Sequence, residues 1–377
     1  MSSNYSRIPV VVVGAGVSGI TTALVLQRTL KYQVAVVSEN LPIEPSDLHA
    51  KNWASPFAGA NWHAFADEND HFMKRIELDT LHEMRSIADQ FPESTVKRVK
   101  GIDYSTAKDY KQPWFFEEIG ESSYIPKDKI PFGLDIGFEF DTVILNSPEY
   151  LLWLTDRFLA LGGTIKKAKM KSLSQAVGFC PNGPQVLECI PILVNCTALG
   201  SHHLSDVKDS KVYPIRGQVI LVDSPAVKKI IMNDSAWRYV IPRGNGTVII
   251  GGTYQKGSWD PKEDPVTTQE IINETLLICP ELVDEHTPTT PQNIQRRAEL
   301  LKKRIIIVNV GFRPARTGGT RIELDSVFDS SHQLTIPVVH NYGHGGYGYQ
   351  TSWGFAFEAR RLCDLASINI RKKSSKL

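Results

Sequence analysis

The stretch IPVVVVGAGVSGITTALVLQRTL, residues 8–30, constrains the fold more than any other part of the chain. Four consecutive valines make a short strand that must be buried on both faces. Gly14-Ala15-Gly16 ends that strand, and Ile20, Ala23, Leu24, Leu26 and Leu30 then suit a helix packed on it. A second β-branched run, QVAVVSE (33–39), completes a β-α-β unit. Gly14, Gly16 and Gly19 therefore form a G-x-G-x-x-G pattern that follows a strand, opens a helix and precedes an acid, Glu39. Gly14 permits the tight turn, Gly16 lets backbone approach a pyrophosphate, and Gly19 lets helix and strand pack closely. The helix N-terminus supplies N–H donors to phosphate, and Glu39 is placed to accept from a ribose diol. The pattern predicts an adenine dinucleotide against Gly14, Ala15, Gly16, Val17, Ser18 and Gly19. Alone, it does not separate NAD from FAD.

The rest of the chain must build around that unit. Its 377 residues predict two domains, at about 150 residues each as a soft prior. The formal charge of +1 gives no electrostatic case for nucleic acid or an anionic membrane as partner. Five scattered cysteines without a CxxC pair read as reduced thiols, not as a disulfide framework or a metal site. No apolar run reaches transmembrane length, and MSSNYSRIP lacks the apolar centre of a signal peptide. The last three residues, Ser375-Lys376-Leu377, match the peroxisomal address and predict an import receptor as partner and a peroxisomal location.

DTVILNS (141–147) is a short apolar run, and PEYLLWLTDRFLALGG (148–163) reads as a helix capped by Gly162-Gly163. TIKKAKMKSL (164–173) alternates like an edge strand, and PILVNCTALGS (191–201) reads as a buried strand ending in a turn. YPIRGQVILVDSP (213–225), RYVIPRGNGTVIIGGTYQKG (238–257) and the aromatic-rich 100–140 look like hairpins with Gly/Asn turns. The architecture expected is α/β. A nucleotide domain (1–62, 145–205, 304–377) is built from separated pieces, with a mixed-sheet domain (63–144, 206–303) inserted. In VNVGFRPARTGG (308–319), the apolar run gives way to Gly and Pro, which predict a turn carrying Arg313 and Arg316. Guanidinium groups are rarely buried without an anion, so the question is what these two hold.

Several long motifs together resemble one family, the D-amino-acid and D-aspartate oxidase flavoenzymes, in their fungal type. They are VVVGAGVSGITTAL (11–24), ASPFAGANW (54–62), VNCTALGS (194–201), PIRGQV (214–219), YVIPRGNGTVIIGGTY (239–254), VGFRPAR (310–316) and VVHNYGHGGYGYQTSWG (338–354). The resemblance implies a Rossmann-like FAD-binding domain with an inserted mixed β-sheet substrate domain. It implies non-covalent FAD and oxidation of a D-amino acid by hydride transfer to flavin N5. The imino acid hydrolyses to a 2-oxo acid and ammonia, and dioxygen reoxidises the flavin to give hydrogen peroxide. No general base is required; catalysis would be orientation and electrostatic preorganisation.

Residue by residue, Arg313 is similar to the family arginine that binds the substrate carboxylate, in a bidentate pair that lysine could not make. Tyr239 and Tyr254 match two tyrosines flanking the substrate. Gly345, Gly346, Tyr347, Gly348 and Tyr349 match the turn lining the flavin ring, and Gln350 touches flavin or substrate. Ala58, Gly59 and Asn61 match the loop on the ring's other edge. Met170 matches a strand residue whose backbone contacts adenine. Arg316 is expected in an ion pair, and His344 in loop packing. Ala198 replaces a usual glycine.

Tyr254 and Met232 stand where the aspartate-specific branch often has arginine, and Phe65 fits an apolar wall. Those residues favour neutral or apolar side chains, because an unpaired buried carboxylate is costly. His63 and Arg243 argue for the alternative, a D-aspartate oxidase. A nicotinamide dehydrogenase has only G-x-G-x-x-G and Glu39 in its favour, and a flavin-binding protein without oxidase activity would also be yellow. A homodimer is allowed but not specified.

Overall fold

The structure is a computed structural model that describes residues 7–181, 190–285 and 287–374. Ser375-Lys376-Leu377 and Cys189 lie outside the described residues. In chain order the first strands are β1 (Ile8–Val13), β2 (Tyr32–Ser38), β3 (Lys97–Ser105), β4 (Ser122–Tyr124) and β5 (Ile136–Ile144). There follow β6 (Thr164–Lys167), β7 (Ile192–Asn195), β8 (Val212–Asp223), β9 (Ile230–Asn233) and β10 (Arg238–Pro242). The last are β11 (Thr247–Gly251), β12 (Gln255–Lys256), β13 (Ile305–Arg316), β14 (Arg321–Asp329) and β15 (Leu334–Tyr342). The helices are α1 (Val17–Gln27), α2 (His71–Gln90), α3 (Ser147–Ala160), α4 (Pro265–Ile278), α5 (Ile294–Lys302) and α6 (Ser352–Ser374).

The chain divides into two compact units, one of residues 1–56, 151–215 and 313–377, the other of 57–150 and 216–312. These bounds differ from those expected. The loop 57–62 and residues 145–150 fall in the second unit, because β5 and the residues after it pair there. So do residues 304–312, the first part of β13, while 206–215 fall in the first unit.

The first unit holds a six-stranded sheet in the order β14-β15-β7-β1-β2-β6. β1 runs parallel to both β2 and β7, β15 parallel to β7, and β2 parallel to β6. Only a strand covered on both faces tolerates an unbroken valine run, and Val10, Val11 and Val12 are wholly buried. Val11, Val13, Val37, Leu193, Ile336 and Val338 share one core. α1 ends at Gln27, so Leu30 lies beyond it and is exposed. The edge strand β6 stops at Lys167, leaving Met170 in irregular chain rather than in a strand. Lys169 there pairs with Glu39 at 2.9 Å, and Lys171 N–H turns to Gln175 Oε1 at 2.9 Å.

The second unit carries a sheet ordered β12-β8-β11-β10-β9-β3-β5-β4, with β13 also pairing β8. It is mixed, as expected: β3 is antiparallel to β5 but parallel to β9. Ile220, Val222, Val240, Val248 and Ile250 pack beneath Ile271, Ile272 and Leu276 of α4. The turn expected around Arg313 is not there. β13 runs on through Gly311 and Pro314 to Arg316, and the chain turns only at Thr317–Gly319. Pro314 has no N–H to offer, but its carbonyl accepts from Gly345 N at 2.8 Å, so the strand tolerates it.

Candidate active site

In the first unit two glycine turns lie together. The first links β1 to α1. Gly14 has φ +110°, and a methyl on it would stand 2.4 Å from the carbonyl oxygen of Cys196. A methyl on Gly19 would stand 1.9 Å from the carbonyl oxygen of Gly14. Both obstacles are backbone, so only glycine fits. The N-cap of α1 is Gly16, which offers no side-chain cap, and the first turn has no acid. Val17 N–H donates to Ser55 Oγ at 3.1 Å. A helix end without its own anionic cap, reached by a chain without side chains at 14 and 16, fits a pyrophosphate. Ala15, Val17, Ser18 and Gly19 share this turn, and Glu39 follows β2 directly.

The second turn runs from β15 to α6. Gly343 and Gly345 have φ +91° and +59°, and His344 forms a bridge to Ala315 of β13. Tyr347 N–H donates to His344 O at 3.0 Å, and Tyr349 Oη donates to Ser55 O at 2.9 Å. Ser55 thus receives a donor from each turn, and a methyl on Gly348 would touch Val17 Cγ1 at 3.6 Å. Gln350 is buried just ahead of α6.

Arg313 lies against this second turn: a methyl on Gly346 would stand 3.3 Å from Arg313 Cδ. Arg316, three residues on, serves structure. Its Nε donates to Asp209 Oδ2 at 2.8 Å, and Tyr342 Oη donates to the same oxygen at 2.7 Å. Burial alone would raise the Asp209 carboxyl, but Arg316 and Tyr342 outweigh it and hold the pKa down to about 2. His344 is buried against Phe355, ring centroids 4.9 Å apart, and neither ring nitrogen makes a hydrogen bond of ordinary geometry among the described residues. Burial pushes its pKa down to about 4, with the Asn341 backbone offsetting this only in part.

In the second unit, Ala58 O accepts from Ser147 Oγ and Arg243 Nη2, both at 3.0 Å. Gly59 abuts Ile241, and Asn61 bridges to Ile144. Tyr239 in β10 lies directly across from Met232 on one side and Gly251 on the other. Its ring lies over Gly251 and Gly252, where added methyls would come within 2.7 Å and 2.4 Å of it. Tyr254 follows β11, is 44% exposed, and meets Trp237 at a ring distance of 5.0 Å. Phe65 is 40% exposed and packs on His63 instead of forming a buried wall.

His63 and Arg243 are engaged elsewhere. His63 Nε2 is 2.6 Å from Asp103 Oδ2, both groups buried. Burial opposes charge on His63, but Asp103 prevails and raises its pKa to about 9. Arg243 serves Ala58 O and, at 3.2 Å, Ser147 Oγ. Ser55, Trp237 and Asp209 were not foreseen. The local sequence Ser55-Pro56-Phe57-Ala58-Gly59 gives no hint of a serine serving two remote turns. Among the described residues no cluster of His, Cys, Asp or Glu could hold a metal, and no helix is long and apolar enough to cross a membrane. Cys196, Cys279 and Cys363 are buried free thiols.

The profile of the family described as FAD dependent oxidoreductase matches residues 9–362. A D-amino-acid oxidase of Fusarium vanettenii is 33% identical, covering 94% of this chain and 96% of its own. A D-aspartate oxidase of Talaromyces thermophilus is 30% identical, covering 97% and 96%. Glycine oxidase of Bacillus cereus superposes with a TM-score of 0.70 at 16% identity, over 95% of this chain and 97% of that one, which shows a shared fold. The two glycine turns fit FAD, through an uncapped helix end and steric room that any side chain would fill. The chain belongs to the FAD dependent oxidoreductase family, in the company of D-amino-acid and D-aspartate oxidases.

Proposed function

We propose that the chain oxidises D-amino acids with neutral or apolar side chains, yielding 2-oxo acid, ammonia and hydrogen peroxide. The observation that carries this reading is the placement of Arg313 against the Gly343–Gly348 turn, within hydrogen-bonded reach of the turn through Pro314 and Ala315. A planar guanidinium there grips a carboxylate through two parallel bonds and fixes both its position and its plane. Backbone N–H groups of Gly346 and Gly348 would stabilise negative charge on a bound ring, whereas that of Gly345 is held by Pro314 O. FAD, held at the Gly14–Gly19 and Gly343–Gly348 turns, would supply the hydride acceptor for the substrate carbon and the two-electron reduction of dioxygen. Tyr239 and Tyr254 take the substrate-contacting roles that the family resemblance implies, and Gln350 a polar contact to flavin or substrate.

Neutral side chains are favoured because His63 is neutralised by Asp103 and Arg243 is spent on Ala58 and Ser147. Neither then answers a second buried carboxylate. The D-aspartate reading draws support from the relative of that name in Talaromyces thermophilus. Anaerobic mixing of yellow protein with D-alanine and with D-aspartate separates the two. Bleaching of the flavin band at lower D-alanine concentration is the expected result. Lower D-aspartate concentration would select the second reading, and no bleaching by either would refute both. Peroxisomal import through Ser375-Lys376-Leu377 is part of the proposal, and deleting those residues should redirect the protein to the cytosol while leaving activity unchanged.

A further inference from the structure

Tyr254 stands at the start of an exposed segment, residues 253–264, between β11 and α4. Tyr254, Gln255, Lys256, Gly257, Trp259 and Asp260 are all exposed, so little apolar burial holds them. The segment is nevertheless tied to two neighbouring residues of β8, at four places by their side chains and at a fifth by the backbone N–H of Gln218. Arg216 and Gln218 point to one face of that strand, two residues apart, and are both almost wholly buried.

Arg216 donates from Nε to Asp260 O at 2.8 Å, from Nη1 to Gln255 Oε1 at 2.7 Å, and from Nη2 to Lys262 O. Its Nη2 also reaches Gln218 Oε1 at 3.2 Å. Gln218 accepts from Asp264 N at 2.9 Å and donates from Nε2 to Asp264 O at 2.8 Å and Thr268 Oγ1 at 2.9 Å. Its own N–H donates to Thr253 Oγ1 at 2.9 Å. The planar fork of an arginine and the two-sided amide of a glutamine thus meet the segment at residues 255, 260, 262 and 264.

We propose that Arg216 and Gln218 are positioning residues, a polar clasp that fixes the 253–264 segment and thereby sets where Tyr254 presents its hydroxyl. This rests on the reading of Tyr254 as a substrate contact. From the other side, Trp237 backs the Tyr254 ring while holding φ +53°, an unfavourable backbone for tryptophan that native contacts must maintain. The ring contact of Trp259 with Phe312, at 5.5 Å, is a second apolar hold on the segment. Loosening the clasp should therefore free Tyr254, together with the two-residue edge strand β12 beside β8, while leaving the rest of the sheet in place.

The test uses FAD-loaded protein carrying Arg216→Lys, which keeps the charge but loses the fork. A second variant, Gln255→Ala, removes one contact from the exposed side and leaves the buried pair in place. Lys256 and Lys262 are exposed sites for trypsin within the segment. Loss of charge-assisted bonds predicts cleavage there about tenfold faster in Arg216→Lys, and about threefold faster in Gln255→Ala. The KM for D-alanine should rise about tenfold in Arg216→Lys with kcat within about twofold, and this rise should vanish in a Tyr254→Ala background. Unchanged cleavage in both variants overturns the clasp itself. Changed cleavage with an equal KM rise in both backgrounds overturns its action through Tyr254. A Tyr254→Ala protein with unaltered KM removes the substrate role on which the proposal rests, whatever trypsin reports.

Discussion

The turn at residues 14–19 and the turn at residues 343–348 are both glycine-rich and both precede a helix, yet glycine is needed for different reasons. In the first, backbone occupies the space a side chain would take, at 2.4 Å for Gly14 and 1.9 Å for Gly19. In the second, the neighbours are side chains, tight at Gly343, where Arg316 Cβ would stand at 2.8 Å, and gentler further on, with Arg313 Cδ at 3.3 Å from Gly346 and Val17 Cγ1 at 3.6 Å from Gly348. The first turn therefore decides whether the domain packs and takes its dinucleotide. On the proposed reading, the second adjusts the arginine that meets the substrate carboxylate.

That contrast is easily broken or sharpened. The largest effect belongs to Gly19→Ala, where a methyl against a fixed carbonyl forces α1 from β1 and costs about 3 kcal/mol or more. Purified protein should be colourless or insoluble; yellow, stable Gly19→Ala would remove the distinction. Next comes His344, buried in the second turn with its pKa pushed down to about 4. The unfolded chain binds a proton below about pH 6.5 that the folded ring refuses. Stability should thus be complete above pH 6.5 and fall by on the order of 3 kcal/mol as pH drops toward 4. Denaturant unfolding across that range, compared with His344→Phe, should show this part of the slope missing in the variant.

Gly346→Ala should raise the D-alanine KM several-fold, about 1 kcal/mol, by pressing on Arg313. Gly348→Ala should hardly change it, and equal effects would erase the graded picture. The smallest change expected is at Ala198, which holds φ +54°. Left-handed alanine is strained, so Ala198→Gly should gain about 0.5–1 kcal/mol in thermal unfolding.

The sequence made the first turn legible because its signal is local. Strand, glycines, helix and acid all fall within residues 8–39, and β1, α1 and β2 follow them closely. The ends of elements were less so. Alternation through Thr164–Lys167 looked set to continue to Leu173, but Glu39 and Gln175 draw Lys169 and Lys171 out of the ladder. Pro314 reads as a stop, although a proline at a position where the ladder asks for no N–H can remain in a strand. What stayed hidden depends on contacts remote in the chain. The His63–Asp103 pair joins residues 40 apart, Arg316–Asp209 joins residues 107 apart, and Ser55 meets Tyr349 across 294. No spacing rule encodes such meetings.

The account depends on Arg313 as the grip on the substrate carboxylate. The most direct measurement is anaerobic titration of Arg313→Ala with D-alanine, beside the unaltered protein, following the visible flavin band. Loss of one partner of a desolvated ion pair is worth about 3–5 kcal/mol. The variant should stay yellow, with its FAD bound, and need at least a hundredfold more D-alanine for half-reduction. Half-reduction at the concentration that serves the unaltered protein would contradict the account.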